Sequence, residues 1–273
     1  ARRDRNHGYV FEVDAYSDEL DDSVPIKAMG RFEHEPCAIH EPTGIVYMTE
    51  DRQNALFYRY IPDVPGKLNE GGLLQALIIK DRPSAQTHNW SALPVVALNK
   101  PYETAWVDVG DPDPADNNLR LTGAKLGAAT FARGEGLCDA GDRFAFTCTE
   151  GGHAHVGQVF TYKPSPFEGT TGEQDEPGEL MLIAESSRDS LLQNADNLVM
   201  APWGDLIVCE DTAGHCGLVG IRPDGTQYAL ADNTYSNSEL AGACFSPDGK
   251  ILFVNIQHPG MTLAITGPWP TPG

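Results

Sequence analysis

Acidic residues recur at matched places along the chain. Glu35, Glu50 with Asp51, Glu135, Glu150, Glu210 with Asp211, and Glu239 stand at the beginnings and ends of one repeated phrase. The phrase runs Glu35 to Glu50, Glu135 to Glu150, Asp196 to Glu210 and Glu239 to Gln257, with 15, 15, 14 and 18 residues from first position to last. Carboxylates brought to one axis repel one another and stay ionised together only beside a cation, and hard ions take oxygen ligands of this kind. The pattern therefore points to a carboxylate-rich, multi-metal channel; the competing reading places each acid on a solvated turn at a strand end. Arg133, two residues before Glu135, invites two readings as well: on the same strand face its planar fork could hold a phosphate beside the metals, or it could form a salt bridge to a neighbouring carboxylate. His34, His258 and the pair His153 and His155 could ligate a transition metal, yet histidines spaced like 153 and 155 on a loop are more often surface residues. Asp111, Asp113 and Asp116 do not form an EF-hand, because Asp116 and Thr122 stand where that loop needs Gly and Glu. No nucleophile elbow, P-loop, dinucleotide fingerprint or zincin motif occurs.

Elements that can present such acids follow from the phrase itself. Each copy is an acid, a small or apolar strand, a Gly-containing turn, a β-rich strand and a polar end. A third strand with apolar/polar alternation follows at 55–60, 157–164 and 217–223. Gly8 to Asp14 reads as the same third strand without the first two. Gly 28 and Pro 20 among 273 residues favour a turn-rich chain over a helical bundle. Together these features predict an all-β fold, a β-propeller with about four and a half blades visible and the N-terminal part of the ring missing, in one domain over 1–273. The opening residues, Ala1 to Gly8, read as a start inside a fold. Residues 63–128 break the period like an insertion, with strands at 74–80 and 104–109 and a short helix near 118–128. Residues 165–178 read as a surface loop.

Composition narrows the partners. Lys+Arg 19 against Asp+Glu 39 gives a net charge of −20, which leaves no basic patch for nucleic acid. No apolar run approaches the roughly 20 residues that span a bilayer. The six cysteines at 37, 138, 148, 209, 216 and 244 contain no C-x-x-C pair. Cys209 and Cys216 could bridge, but buried free thiols are the preferred reading.

The phrases G-R-F-E-H-E (30–35), G-I-V-Y-M-T-E-D-R (44–52), F-A-R-G-E-G-L (131–137), D-N-L-V-M-A-P-W-G-D-L-I-V-C-E-D (196–211) and the stretch from Ser238 to Gly260 resemble the PhoX family of secreted bacterial alkaline phosphatases. The resemblance implies a propeller whose channel holds calcium and ferric iron, hydrolysis of small phosphate monoesters, and export by the twin-arginine route to the periplasm or the exterior. Carried over, Glu35, Glu50, Glu135, Glu210 and Glu239 occupy acidic positions that hold metal, with Asp51, Glu150 and Asp211 as further candidates. Arg133 and Glu135 correspond to the family's R-x-E motif, whose arginine faces substrate phosphate. The family's cysteine ligand to iron has no counterpart here, and Gly134 stands where the best-studied members carry another residue. Two alternatives remain open: another calcium-dependent propeller hydrolase of lactonase or phytase type, or a non-catalytic binding propeller in an extracellular assembly. A second chain, or an N-terminal segment, is expected to complete the ring.

Overall fold

A computed structural model describes residues 6–20, 22 and 24–270; of the opening stretch read above, residues 1–5 lie outside them. The described residues form four consecutive antiparallel blades of a β-propeller. Blade 1 is β1 (His34–His40), β2 (Ile45–Glu50), β3 (Tyr58–Pro62) and β4 (Gly72–Ile79). β5 (Pro101–Asp108) follows. Blade 2 is β6 (Gly134–Asp139), β7 (Phe144–Cys148), β8 (Gln158–Lys163) and β9 (Glu179–Glu185). Blade 3 comprises β10 (Ala195–Met200), β11 (Leu206–Glu210), β12 (Gly217–Ile221) and β13 (Gln227–Asp232), and blade 4 comprises β14 (Leu240–Phe245), β15 (Ile251–Ile256) and β16 (Met261–Thr266).

The first strands β1, β6, β10 and β14 stand side by side in chain order and form the inner wall. Second strands are apolar on both faces because a blade is sandwiched between neighbours: β2, β7 and β11 are buried at every position. Outer strands return to alternation, as in β9 and β16, where one face meets solvent. Apolar layers fill each seam. Tyr47, Phe57, Phe146 and Phe160 lie between blades 1 and 2, Val159, Leu198 and Val208 between 2 and 3, and Ile207, Leu218, Leu252 and Val254 between 3 and 4.

Two segments depart from the repeat. Gly8 to Asp14 does not form the third strand of a further blade; it makes a single bridge, Phe11 to Pro25. Instead the chain before β1 folds over the far face of blade 1, where Ile26, Met29 and Phe32 pack with Met48, Tyr58 and Leu119 of helix α1 (Leu119–Lys125). Within 63–128, β4 completes blade 1, and β5 straddles two blades, pairing Gln75 to Ile79 on one side and Glu179 to Met181 on the other.

The stretch 165–178 is not a plain surface loop. Ser165 and Glu168 are buried, and a short 3-10 turn spans Thr171–Gln174. Arg59, on β3, explains why. Its Nη1 donates to Glu168 Oε1 at 2.6 Å, its Nη2 to Glu173 Oε2 at 3.0 Å and its Nε to Gln75 Oε1 at 2.9 Å, while its guanidinium lies over the Trp106 ring at 4.4 Å. Glu168 also accepts from the Tyr162 hydroxyl and the Ser165 amide. With Arg59 and Glu168 side chains 3% and 1% exposed, removing one partner strands the other charge out of water. Arg59→Met is expected to lower unfolding free energy by about 3–5 kcal/mol, read as a shifted urea midpoint; a midpoint within error of the parent's rules out a structural role for the network.

Candidate metal centre

Three equivalent bulges aim the acids inward. On β1 the register jumps from His34 opposite Glu50 to Cys37 opposite Met48, on β6 from Gly134 opposite Cys148 to Leu137 opposite Phe146, and on β10 from Ala195 opposite Glu210 to Leu198 opposite Val208. Each jump inserts one extra residue, and the first residue of each bulge is an acid: Glu35, Glu135 and Asp196. Bulges bend a strand and re-aim a side chain, and here three of them do so at one end of neighbouring inner strands. The bulge of β14 lies between Ala241 and Cys244 and contains no acid.

A second position follows each second strand. Asp51, Thr149, Asp211 and Gln257 donate their amides to the carbonyls of Glu33, Arg133, Asn194 and Glu239, at 3.0, 2.9, 3.0 and 3.1 Å. These matched bonds fix two sets of equivalents. Asp51 and Asp211 are counterparts, with Thr149 in their place on blade 2. Glu239 is the counterpart of Arg133, not of Glu35.

The acids gather into two triads, each with oxygens within 4.8 Å of one another. One is Glu35, Asp51 and Glu135; the other is Asp196, Asp211 and Glu239. They are electrostatically continuous. Burial first, then the charges of Asp196, Asp51 and Glu35, raises the Glu135 carboxyl far above the usual range. Burial and a carboxyl hydrogen bond to Glu239 raise Asp196, and Glu35 and Glu239 are raised by burial and by their acidic neighbours. Arg133 is the cation in contact with the first triad: Nε donates to Asp51 Oδ1 at 2.8 Å and Nη2 to Glu135 Oε1 at 2.7 Å. Arg133 and Glu135 meet although they are not strand neighbours, because Arg133 precedes β6 in a left-handed conformation, φ +54°. Among the described residues its Nη1 donates to no protein acceptor. A set of anionic oxygens, crowded enough to hold protons, fits hard cations such as calcium, magnesium, manganese or ferric iron.

Of the residues singled out in the sequence, Glu35, Asp51, Glu135, Asp211 and Glu239 come together. Glu50 does not join them. Its side chain turns to the far face of blade 1, fully buried, accepting from the Tyr58 hydroxyl at 3.0 Å and the Leu56 amide at 3.4 Å, with Arg120 at 3.8 Å; burial pushes its pKa up to about 7. Glu210 likewise turns away and clips the Gln193 and Gly217 amides. Glu150 accepts from Gln53 and lies two residues past Cys148, the true counterpart of Glu50 and Glu210. His34 is a neutral core histidine: burial lowers its pKa to about 4 and Nε2 lies 3.0 Å from the Gly30 carbonyl. His153 and His155 are exposed. All six cysteines are free. Asp196 was absent from the acids singled out, although it opens the third phrase as Glu35 and Glu135 open theirs.

The raised carboxyls carry a stability consequence. A carboxyl with a folded pKa above its unfolded value binds its proton more tightly when folded, so its contribution is fully present below the unfolded pKa and is lost as pH rises through the folded one. Metal-free protein should therefore melt at a lower temperature at pH 8 than at pH 5, by at least about 4 °C for a chain of this size, and millimolar calcium should recover the loss at pH 8 only. A flat profile with no calcium response would mean that the triads neither repel nor bind.

The chain matches the family model described as "Alkaline phosphatase PhoX" over residues 1–260. No curated protein matches it. Among solved structures, one titled "Streptogramin B lyase structure" is 11% identical and covers 87% of this chain and 70% of its own, with a TM-score of 0.34, a likeness too slight to support an argument about function. With nearly its whole length matched, the chain belongs to the PhoX alkaline phosphatase family, whose members are metal-dependent, secreted or periplasmic enzymes.

Proposed function

We propose that the protein hydrolyses small phosphate monoesters at the acid channel, outside the cytoplasm, with calcium and ferric iron as its metals. The observation that carries this reading is the pairing of two carboxylate triads with an arginine that has donors to spare. Glu35, Asp51 and Glu135 would hold cations on one side, and Asp196, Asp211 and Glu239 on the other. Cations bound there would supply Lewis-acid stabilisation of phosphate charge and a potent nucleophile near neutral pH.

The chain's own residues do the rest. Asp51 and Glu135 grip Arg133 from two directions, so its fork is held before substrate arrives. Nη1 is then the donor presented to an equatorial phosphate oxygen, where charge develops during transfer. Glu239, at the equivalent position of blade 4, places a carboxyl where blade 2 places a guanidinium, so the two triads differ in having a built-in cation. The net charge of −20 opposes capture of an anionic ester from a distance, so attraction is local, and kcat/KM should rise when moderate salt screens the repulsion; a fall over 20–200 mM sodium chloride would contradict this.

Arg133→Asn, which tolerates the left-handed backbone, tests the role directly. Metal content by plasma mass spectrometry should match the parent's while kcat/KM for 4-nitrophenyl phosphate falls about 100- to 1,000-fold, the usual cost of losing one preorganised donor to developing charge. Unchanged turnover removes Arg133 from the mechanism. A chelated parent that keeps full turnover removes the metals from it.

A further inference from the structure

Beside the acid channel, three rings from two loops stack in a column. His88 and Trp90 come from the connection between β4 and β5, and His155 from the turn between β7 and β8. Ring centroids are 4.0 Å apart for His88 and Trp90, at 27°, and 4.9 Å for Trp90 and His155, at 20°. The column is anchored from below: the Trp90 indole N–H donates to the Glu150 carbonyl at 2.8 Å, and the Gly152 amide donates to the His88 carbonyl at 2.9 Å. Through Glu150 it is joined to the segment that carries Arg133. The Glu150 amide bonds to the Ala132 carbonyl at 3.4 Å, the Thr149 amide to the Arg133 carbonyl at 2.9 Å, and the charge of Glu150 is felt at the Arg133 guanidinium.

His155 is the unexplained member. It is exposed, adopts φ +57°, a left-handed conformation uncommon outside glycine, and its imidazole lies against the indole. A flat, preformed face of this kind at the rim of a phosphate site suits one thing: the organic part of the ester, which must project out of the channel once the phosphoryl group is seated among cations and Arg133. Stacking on an aromatic side chain contributes more to binding for a planar ring than for an acyclic polyol chain, which cannot lay a π face on it.

Building on the phosphomonoesterase reading, we propose that His155, backed by Trp90 and His88, is a stacking platform for a planar aromatic leaving group, so that the enzyme prefers aryl and nucleobase-bearing phosphomonoesters to alkyl ones. The column acts on specificity through KM and takes no part in bond breaking.

The test compares the full-length parent with His155→Asn, which removes the ring and keeps the left-handed backbone. The ratio of kcat/KM for phenyl phosphate to that for glycerol 1-phosphate should fall about five- to tenfold in the variant, with the change in KM, while the melting temperature holds. A ratio within twofold of the parent's overturns the proposal and leaves the column as a clasp between loops. Should the parent hydrolyse neither ester, the phosphatase reading fails on its own, and calorimetric titration with phenylphosphonate and methylphosphonate still decides the platform. Tighter binding of the phenyl compound that is lost in His155→Asn supports it; equal affinities overturn it.

Discussion

Six carboxylates gathered into two crowded triads are the constraint around which the rest of the molecule is arranged. Left to a flexible chain they would separate, so their gathering requires a frame that yields less than their repulsion pushes. Second strands provide it by bonding across the seams. The Thr49 hydroxyl donates to the Glu135 carbonyl at 2.6 Å, and the equivalent Thr147 hydroxyl donates to the Asp196 carbonyl, so the second strand of one blade clamps the bulge of the next. Gly136 allows the approach. A Cβ there would sit 2.6 Å from the Asp196 carbonyl oxygen and 2.7 Å from the Leu198 amide, so any side chain would push the β10 bulge away from the β6 bulge.

The site is built across seams rather than within blades. Blade 1 contributes Glu35 and Asp51 and blade 2 completes that triad with Glu135; blade 3 contributes Asp196 and Asp211 and blade 4 completes the other with Glu239. Among the described residues the seam between blades 2 and 3 holds no third triad, because Thr149 stands where blades 1 and 3 carry Asp, and its hydroxyl is spent on the Ala195 carbonyl. A repeat fold thus offers the same address several times and fills it differently. At the address before the inner strand, Arg133 supplies a cation, Glu239 an anion, and Asn194 neither. Far from this centre, the Arg59 network does different work, tying the stretch 165–178 to β3 and closing the outer end of the seam between blades 1 and 2.

Much of this was legible in the chain. The repeated phrase, the Gly-containing turns and the apolar runs predict the inner strands and their order, and Glu35, Asp51, Glu135, Asp211 and Glu239 stand out as convergent acids. The failures are informative. Glu150 looked equivalent to Glu50 because Thr-Glu recurs, but the β6–β7 hairpin is one rung shorter, Leu137 to Asp139 against Cys37 to His40, which moves the equivalence to Cys148. Glu50 and Glu210 fail by alternation. Adjacent residues at a strand end face opposite sides, so when Asp51 and Asp211 turn toward the triads, Glu50 and Glu210 must turn the other way. The reading of 165–178 as a surface loop rested on the lack of an apolar run, and Glu168 is buried there by a charge partner more than one hundred positions away.

Composition and local pattern by themselves determined the fold class, the repeat and the oxygen-rich chemistry, because strand periodicity, turn residues and residue type are properties of short stretches. Only the tertiary structure decided which acids belong together. Register is a property of two strands at once, and a single bulge or a hairpin shorter by one rung redirects a side chain without changing the letters around it. The same holds for Arg133, whose joint salt bridges to Asp51 and Glu135 exist only when two blades meet.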